Sequence, residues 1–222
     1  MNFINLFVNH NKPDSFVNRM RKNRFSLIQK EIEGLILQKG NIKILDIGGE
    51  IGYWKNIGWQ NHNCTIYLLN LDTGNTPENM PGFCHVTGNA LHLPYQFGEF
   101  DLVFSNSVIE HMGSIDKQRI FADEVKKVCT KYIIQTPSFW FPLEPHSLLP
   151  FFQFIPHAVR AYFIMWFTIN YFPKASTYKE AIAVSKSTIM FTKKRFKKLF
   201  PDADIQVEWL LGLPKSYTAV KL

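Results

Sequence analysis

The chain has 222 residues, 46% hydrophobic and 19% charged, a balance that excludes a disordered chain and suits one α/β domain needing no disulfide or metal to fold. Its net charge of +7 is uneven, with +5 over residues 12–30 and +6 over residues 186–198. Such a field fits anionic partners or two solvated helix faces, and excludes an acidic, solvating chain.

The opening MNFINLFVNHNK has no basic leader region and no long apolar core, so no signal peptide is expected. Phe16, Met20, Leu27, Ile28, Ile32, Leu35 and Ile36 recur at helical spacing and predict a helix over 14–39, stopped by Gly40. IKILDIG (42–48) and CTIYLLNL (64–71) read as buried strands. FCHVTGN (83–89) is a weaker third, FDLVFSN (100–106) a fourth and KYIIQTP (131–137) a fifth. Between the last two, residues 115–129 predict an amphipathic helix with Ile115, Ile120, Phe121, Val125 and Val128 facing inward. This alternation predicts a mostly parallel sheet with helices on both faces. Residues 138–187 fall outside it. Then TKKRFKKLFP (192–201) predicts a basic helix, and 205–212 and 216–222 an antiparallel strand pair joined by a short turn containing proline. Cys64, Cys84 and Cys129 lack any CxxC spacing, so neither a disulfide framework nor a metal site is expected, and a reducing, cytoplasmic setting is.

Ligands of open α/β sheets bind beyond the carboxyl ends of the strands. The first strand is followed by Asp46-Ile47-Gly48-Gly49-Glu50-Ile51-Gly52, the second by Asn70-Leu71-Asp72, the third by Gly88-Asn89-Ala90 and the fourth by Ser105-Asn106-Ser107. Glycines let a ligand approach the backbone, and a polar group after the second strand is placed to read ribose hydroxyls. The loop departs from G-x-G-x-x-G, so it supports pyrophosphate binding poorly.

ILDIGGEIG, NLD, GNALHLP and FDLVFSNSVIEHM resemble the successive motifs of class I S-adenosylmethionine-dependent methyltransferases of the methyltransferase type 11 kind, and QTPSFWFPLEPH resembles a bacterial subgroup. The resemblance covers residues 41–137. It implies a Rossmann-like, seven-stranded, mostly parallel sheet with the last strand antiparallel, in one domain over 1–222, with an aromatic-rich helical insertion over 138–187 and the C-terminal helix and strand pair over 188–222. It implies S-adenosylmethionine as cofactor. Asp46, Gly48, Gly49 and Gly52 match the loop beside its methionine part. Asn70, with Leu71 and Asp72, falls at the ribose. Asn89, with Ala90 and Leu91, falls at the adenine, and Ser105 and Asn106 near the sulfonium. Three positions depart from the family: Glu50 replaces a glycine, facing either the cofactor's ammonium or solvent, and Asn70 and Asn89 replace acids, which weakens an acceptor by removing its charge.

Methyl transfer to a hydroxyl also requires a base, whereas an amine or thiolate needs less help. His111 is one candidate base, with a turn-fixing role for Glu110-His111 as the alternative. Glu144 and His146, in a loop stiffened by Pro142 and Pro145, are an acceptor-site element or a loop staple. Twelve aromatic residues fall within 138–172, a density that calls for a partner: a lid over the acceptor, a homodimer interface, or a membrane surface met by 154–172 together with 192–198. Pro156, His157 and Arg160 make 154–172 too broken to span a bilayer. The acceptor is expected to be a small molecule, a glycan precursor or a lipid-linked compound. The alternatives are an RNA or protein methyltransferase, suggested by the basic surplus, and a non-catalytic partner protein that keeps the fold.

Overall fold

The computed structural model describes residues 16–59, 61–72, 80–167, 169 and 172–222. Helix α1 is Phe16–Lys39, and Gly40, at φ 79°, ends it by donating its N–H to the Ile36 carbonyl. Ile28, Ile32, Leu35 and Ile36 are buried as their spacing requires. Positions 14 and 15 of the predicted helix lie outside the described residues, as do the side chains of Phe16 and Leu27.

The strands are β1 (Ile42–Ile47), β2 (Cys64–Asn70), β3 (Phe83–Thr87), β4 (Leu102–Asn106), β5 (Tyr132–Pro137), β6 (Asp204–Leu210) and β7 (Leu213–Lys221). They form one seven-stranded sheet in the order β3-β2-β1-β4-β5-β7-β6. β1 pairs in parallel with β2, Ile44 opposite Ile66, and with β4, Ile44 opposite Leu102. β2 pairs in parallel with β3. The β5-β7-β6 edge is antiparallel, as expected. The turn between β6 and β7 differs from expectation. It is the two-residue step Leu211-Gly212, both at positive φ, which matches the twist of paired strands. Pro214 lies inside β7, next to its first residue, where a missing N–H is tolerated.

Helices α2 (Ile51–Ile57) and α3 (Ile115–Val128) follow β1 and β4. Phe121, Val125 and Val128 of α3 are fully buried, but Ile115 and Ile120 are 53% and 45% exposed. The buried stripe runs 118, 121, 122, 125, 128, and its first place is taken by Gln118. Isoleucine at 115 and 120 lies off that stripe, so the apolar count overstated the buried face. Within 138–187 lie α4 (His157–Trp166) and α5 (Tyr178–Lys186); α6 (Lys193–Leu199) follows. No helix among the described residues is long and apolar enough to cross a membrane.

The chain divides into two compact units. The first holds residues 1–106, 123–134 and 220–222, and its core gathers around Trp54 with Phe25, Trp59, Ile66, Leu102 and Phe104. The second holds 107–122 and 135–219, and has a separate core of Phe152, Ala161, Ile164, Ile169, Phe172, Ala175 and Ala181. Thr177 opens α5 with a reciprocal cap: its hydroxyl accepts the Glu180 N–H, and the Glu180 carboxylate accepts the Thr177 N–H.

Candidate active site

In the first unit, β1 ends in the glycine loop. Gly48 is exposed at φ 71°, a conformation that glycine takes without penalty, and its N–H donates to the Leu69 carbonyl. Gly49 is required for a different reason. A Cβ there would lie 2.1 Å from Asp46 Oδ2 and 2.8 Å from Leu68 Cδ2. Asp46 is buried and accepts a 2.7 Å hydrogen bond from Trp54 Nε1. Burial pushes its carboxyl up to about 8; the Trp54 hydrogen bond opposes this and the negative charge of Glu50 adds to it. Gly52, in the first turn of α2, has open space where a side chain would stand. Nothing in the protein demands glycine there, so the open space fits a ligand passing the loop. Glu50 is exposed at the same turn.

Asn70 Nδ2 donates to the Gly49 carbonyl over 2.8 Å. A carboxylate could not make that bond, so the amide found where the family has an acid fastens the loop. Leu71 is 76% exposed and Asp72 is exposed beside it. Asn89 accepts the Leu91 N–H over 2.9 Å, closing its own turn around Ala90. Ser105 is buried and donates to the Ile47 carbonyl, and Asn106 is half-buried at the end of β4. Asp46, Gly49 and Ser105 thus shape the loop, while Gly48, Glu50, Gly52, Leu71 and Asp72 present accessible groups. These residues fit the adenosyl cofactor: a glycine left open to a ligand, an exposed apolar side chain for a base, and polar groups at the second strand end.

In the second unit, Ser107 turns the chain at φ 60°, with its hydroxyl donating to Gln135 Oε1. A 3-10 turn over Ile109–Met112 follows, burying Glu110 and leaving His111 at the surface. The structure brings the three predicted catalytic side chains together. His146 Nδ1 lies 2.6 Å from Glu144 Oε1, and His146 Nε2 lies 3.1 Å from His111 Nε2. Thr188 Oγ1 stands 3.5 Å from His111 Nδ1. Glu144 also accepts the N–H groups of His146 and Ser147. Burial alone would raise Glu144, but His146 and Ser147 outweigh it and hold the carboxyl below its usual range. Burial likewise opposes the charge on His146, and the Glu144 carboxylate overcomes it, raising the imidazole. His111 is exposed at one edge, but partial loss of solvation, and after it the charge of His146, lowers its imidazole to about 4.

Glu110 was not among the expected site residues. It is fully buried, with Oε2 accepting from Thr136 Oγ1 over 2.9 Å, and burial raises it to about 7. The Glu110-His111 dipeptide was its only sequence signal; its burial follows from packing that local pattern does not report. Next to this cluster lies a cavity of about 630 Å³, lined by Glu144 and Thr188 together with His157, Arg160, Lys186 and Arg195. Arg195 donates to Gln118 Oε1 and stacks on Phe191, and its Nε is buried without a partner. Gln153 Oε1, also in the lining, is buried and unpaired. Neither Arg195 nor Gln153 carries a motif that composition could reveal.

Residues 47–131 match the family model described as a methyltransferase domain. No curated protein matches the sequence. Among solved structures, the CurJ carbon methyltransferase superposes with a TM-score of 0.57 at 9% identity, covering 97% of this chain and 57% of that one. WbdD, solved with a kinase inhibitor, gives 0.51 at 14% identity over 89% of this chain and 40% of that one. Magnesium protoporphyrin IX methyltransferase from Synechocystis PCC 6803, with bound SAH, gives 0.49 at 9% identity over 100% of this chain and 89% of that one. This chain spans about half the length of the first two. At such identities the likeness is one of fold. The matched segment, residues 47–131, thus resembles a methyltransferase domain and lies within the fold that this chain shares with those structures.

Proposed function

We propose that the protein transfers a methyl group from S-adenosylmethionine to a hydroxyl of a small or lipid-linked acceptor that carries an anionic group. The cofactor supplies a methyl bound to a sulfonium, with a neutral thioether as leaving group. The glycine loop and the polar ends of β2 and β4 hold and orient it. The Glu144–His146–His111 chain lowers the cost of removing the acceptor's proton.

The observation that carries this reading is the Glu144–His146–His111 chain beside a cavity rich in cations. A carboxylate on Nδ1 fixes the His146 tautomer and leaves Nε2 as the reactive nitrogen. An amine or thiolate acceptor would need less help of this kind. The cavity's lining holds Arg160, Lys186 and Arg195 but one carboxylate, Glu144, which is already paired with His146, so a phosphate or carboxylate on the acceptor answers the surplus.

The test is kinetic. His146→Ala and Glu144→Gln should lower kcat by about 10²–10³-fold, the usual scale for a proton-handling group, while S-adenosylmethionine affinity changes less than threefold. Arg195→Gln should raise the acceptor's KM and spare kcat. Full turnover in both His146→Ala and Glu144→Gln would return that loop to a structural role.

A further inference from the structure

We propose that Glu110, His111 and His146 form a binding site for one divalent first-row metal ion, with two imidazole nitrogens and one carboxylate oxygen as ligands. Each residue offers one ligand atom, and the three lie within 4.8 Å of one another. The two Nε2 atoms are 3.1 Å apart. With metal–nitrogen bonds of about 2.1 Å, neighbouring ligands of one ion stand about 3.0–3.4 Å apart, so this pair is already spaced to share an ion.

A second, independent observation points the same way. Glu110 is fully buried, Oε2 is satisfied by Thr136, and Oε1 has no partner at all. A buried carboxylate oxygen left unpaired is costly unless a proton or a metal cation neutralises it. Glu144 does not compete for the ion, because it is engaged with His146 Nδ1 and two backbone N–H groups. It occupies instead the outer position from which a carboxylate orients a metal-bound histidine and presents Nε2 as a lone pair. Thr188 stands on the far nitrogen of His111 in the same way.

Two histidines and one carboxylate leave coordination positions open, and the mixed nitrogen and oxygen set suits zinc, manganese or cobalt over calcium or magnesium. Those positions would take water or an oxygen of the acceptor. An oxygen of the acceptor there presupposes the methyltransferase reading given above, but with the ion bound His146 Nε2 is a ligand and no longer a base; the binding of the ion does not rest on that reading. The proposed site departs from the expectation, drawn from cysteine spacing, that no metal is held: its ligands come from two separated turns and leave no compact spacing.

Full-length protein, stripped with a chelator, is titrated with Zn²⁺ and with Mn²⁺ by calorimetry, without cofactor or acceptor. One ion per chain at micromolar or tighter affinity is expected, and His111→Ala and His146→Ala should each weaken it at least 100-fold. Glu144→Gln should weaken it 10- to 100-fold through His146. Should a variant fail to fold, Co²⁺ added to the wild-type chain supplies a second readout: visible absorption bands of nitrogen-coordinated cobalt support the site, and the spectrum of the free aqueous ion overturns it. Absence of stoichiometric binding, or histidine variants that bind as wild type, also overturns it. Tight binding of the ion in a protein that S-adenosylmethionine does not stabilise would sustain the site and sink the methyltransferase reading.

Discussion

Gly49 and Gly52 share one loop yet are glycines for opposite reasons. A Cβ at 49 would collide with Asp46 and Leu68, whereas a Cβ at 52 would meet open space. Gly49→Ala should therefore lower thermal stability, and Gly52→Ala should keep or raise it, since alanine favours a helix over glycine by about 1 kcal/mol. Gly52→Ala should nevertheless weaken S-adenosylmethionine binding tenfold or more, measured by calorimetry; undiminished affinity would place the cofactor away from α2. Gly48→Val is a poorer probe than the sequence suggests, because valine at φ 71° strains the backbone whether or not a ligand is bound.

Asp46 sets a pH dependence whose sign follows from burial. Its ordinary value is 3.8, and the folded protein holds it near 8. Between those values the native state keeps a proton that the unfolded chain has released, so stability falls as pH rises through that window. Asp46→Asn can still accept from Trp54 and removes the loss. Melting curves should nearly coincide at pH 4 and favour the variant by several degrees at pH 8 to 9; parallel curves would show that Asp46 is ionised in the fold.

At the scale of elements, α3 and α4 show the two ways that a helical pattern misleads. In α3 a glutamine takes a buried place and two isoleucines do not, because Gln118 donates to the Ile109 and Ile189 carbonyls and accepts from Arg195. A polar side chain that answers three groups is as much core as an apolar one. In α4, Val159, Tyr162, Phe163 and Trp166, followed by Phe167, are all exposed and recur on one face, while Ala161 and Ile164 face its core. Aromatic residues of this kind are favoured at a bilayer interface. Co-sedimentation with vesicles containing anionic phospholipid is expected, with the bound fraction falling about tenfold for Trp166→Glu. A concentration-dependent dimer by light scattering, abolished by the same substitution without vesicle binding, would make this face a subunit interface instead.

For the molecule as a whole, the sharpest check is linkage. A ligand of the native state stabilises it by RT ln(1 + [L]/Kd), about 2.7 kcal/mol at a hundredfold excess over Kd. S-adenosylmethionine and its demethylated product should each raise the melting temperature by several degrees. No shift at millimolar concentration would favour a non-catalytic protein that keeps the fold, and RNA methylation with salt-sensitive retention on phosphate would favour the nucleic-acid alternative.

The strands and their mostly parallel pairing were legible in the residues alone, because apolar runs closed by glycine and polar side chains report a buried parallel sheet. The family's motifs pointed to the ends of β1, β2, β3 and β4 as the place for the cofactor. Local pattern holds no information on which distant side chains meet. His146 reaches His111 across 35 positions, Glu110 meets Thr136 across 26, and Arg195 finds Gln118 across 77. Burial and pairing over such separations depend on chain closure, so the reactive cluster of the second unit was decided by tertiary structure alone.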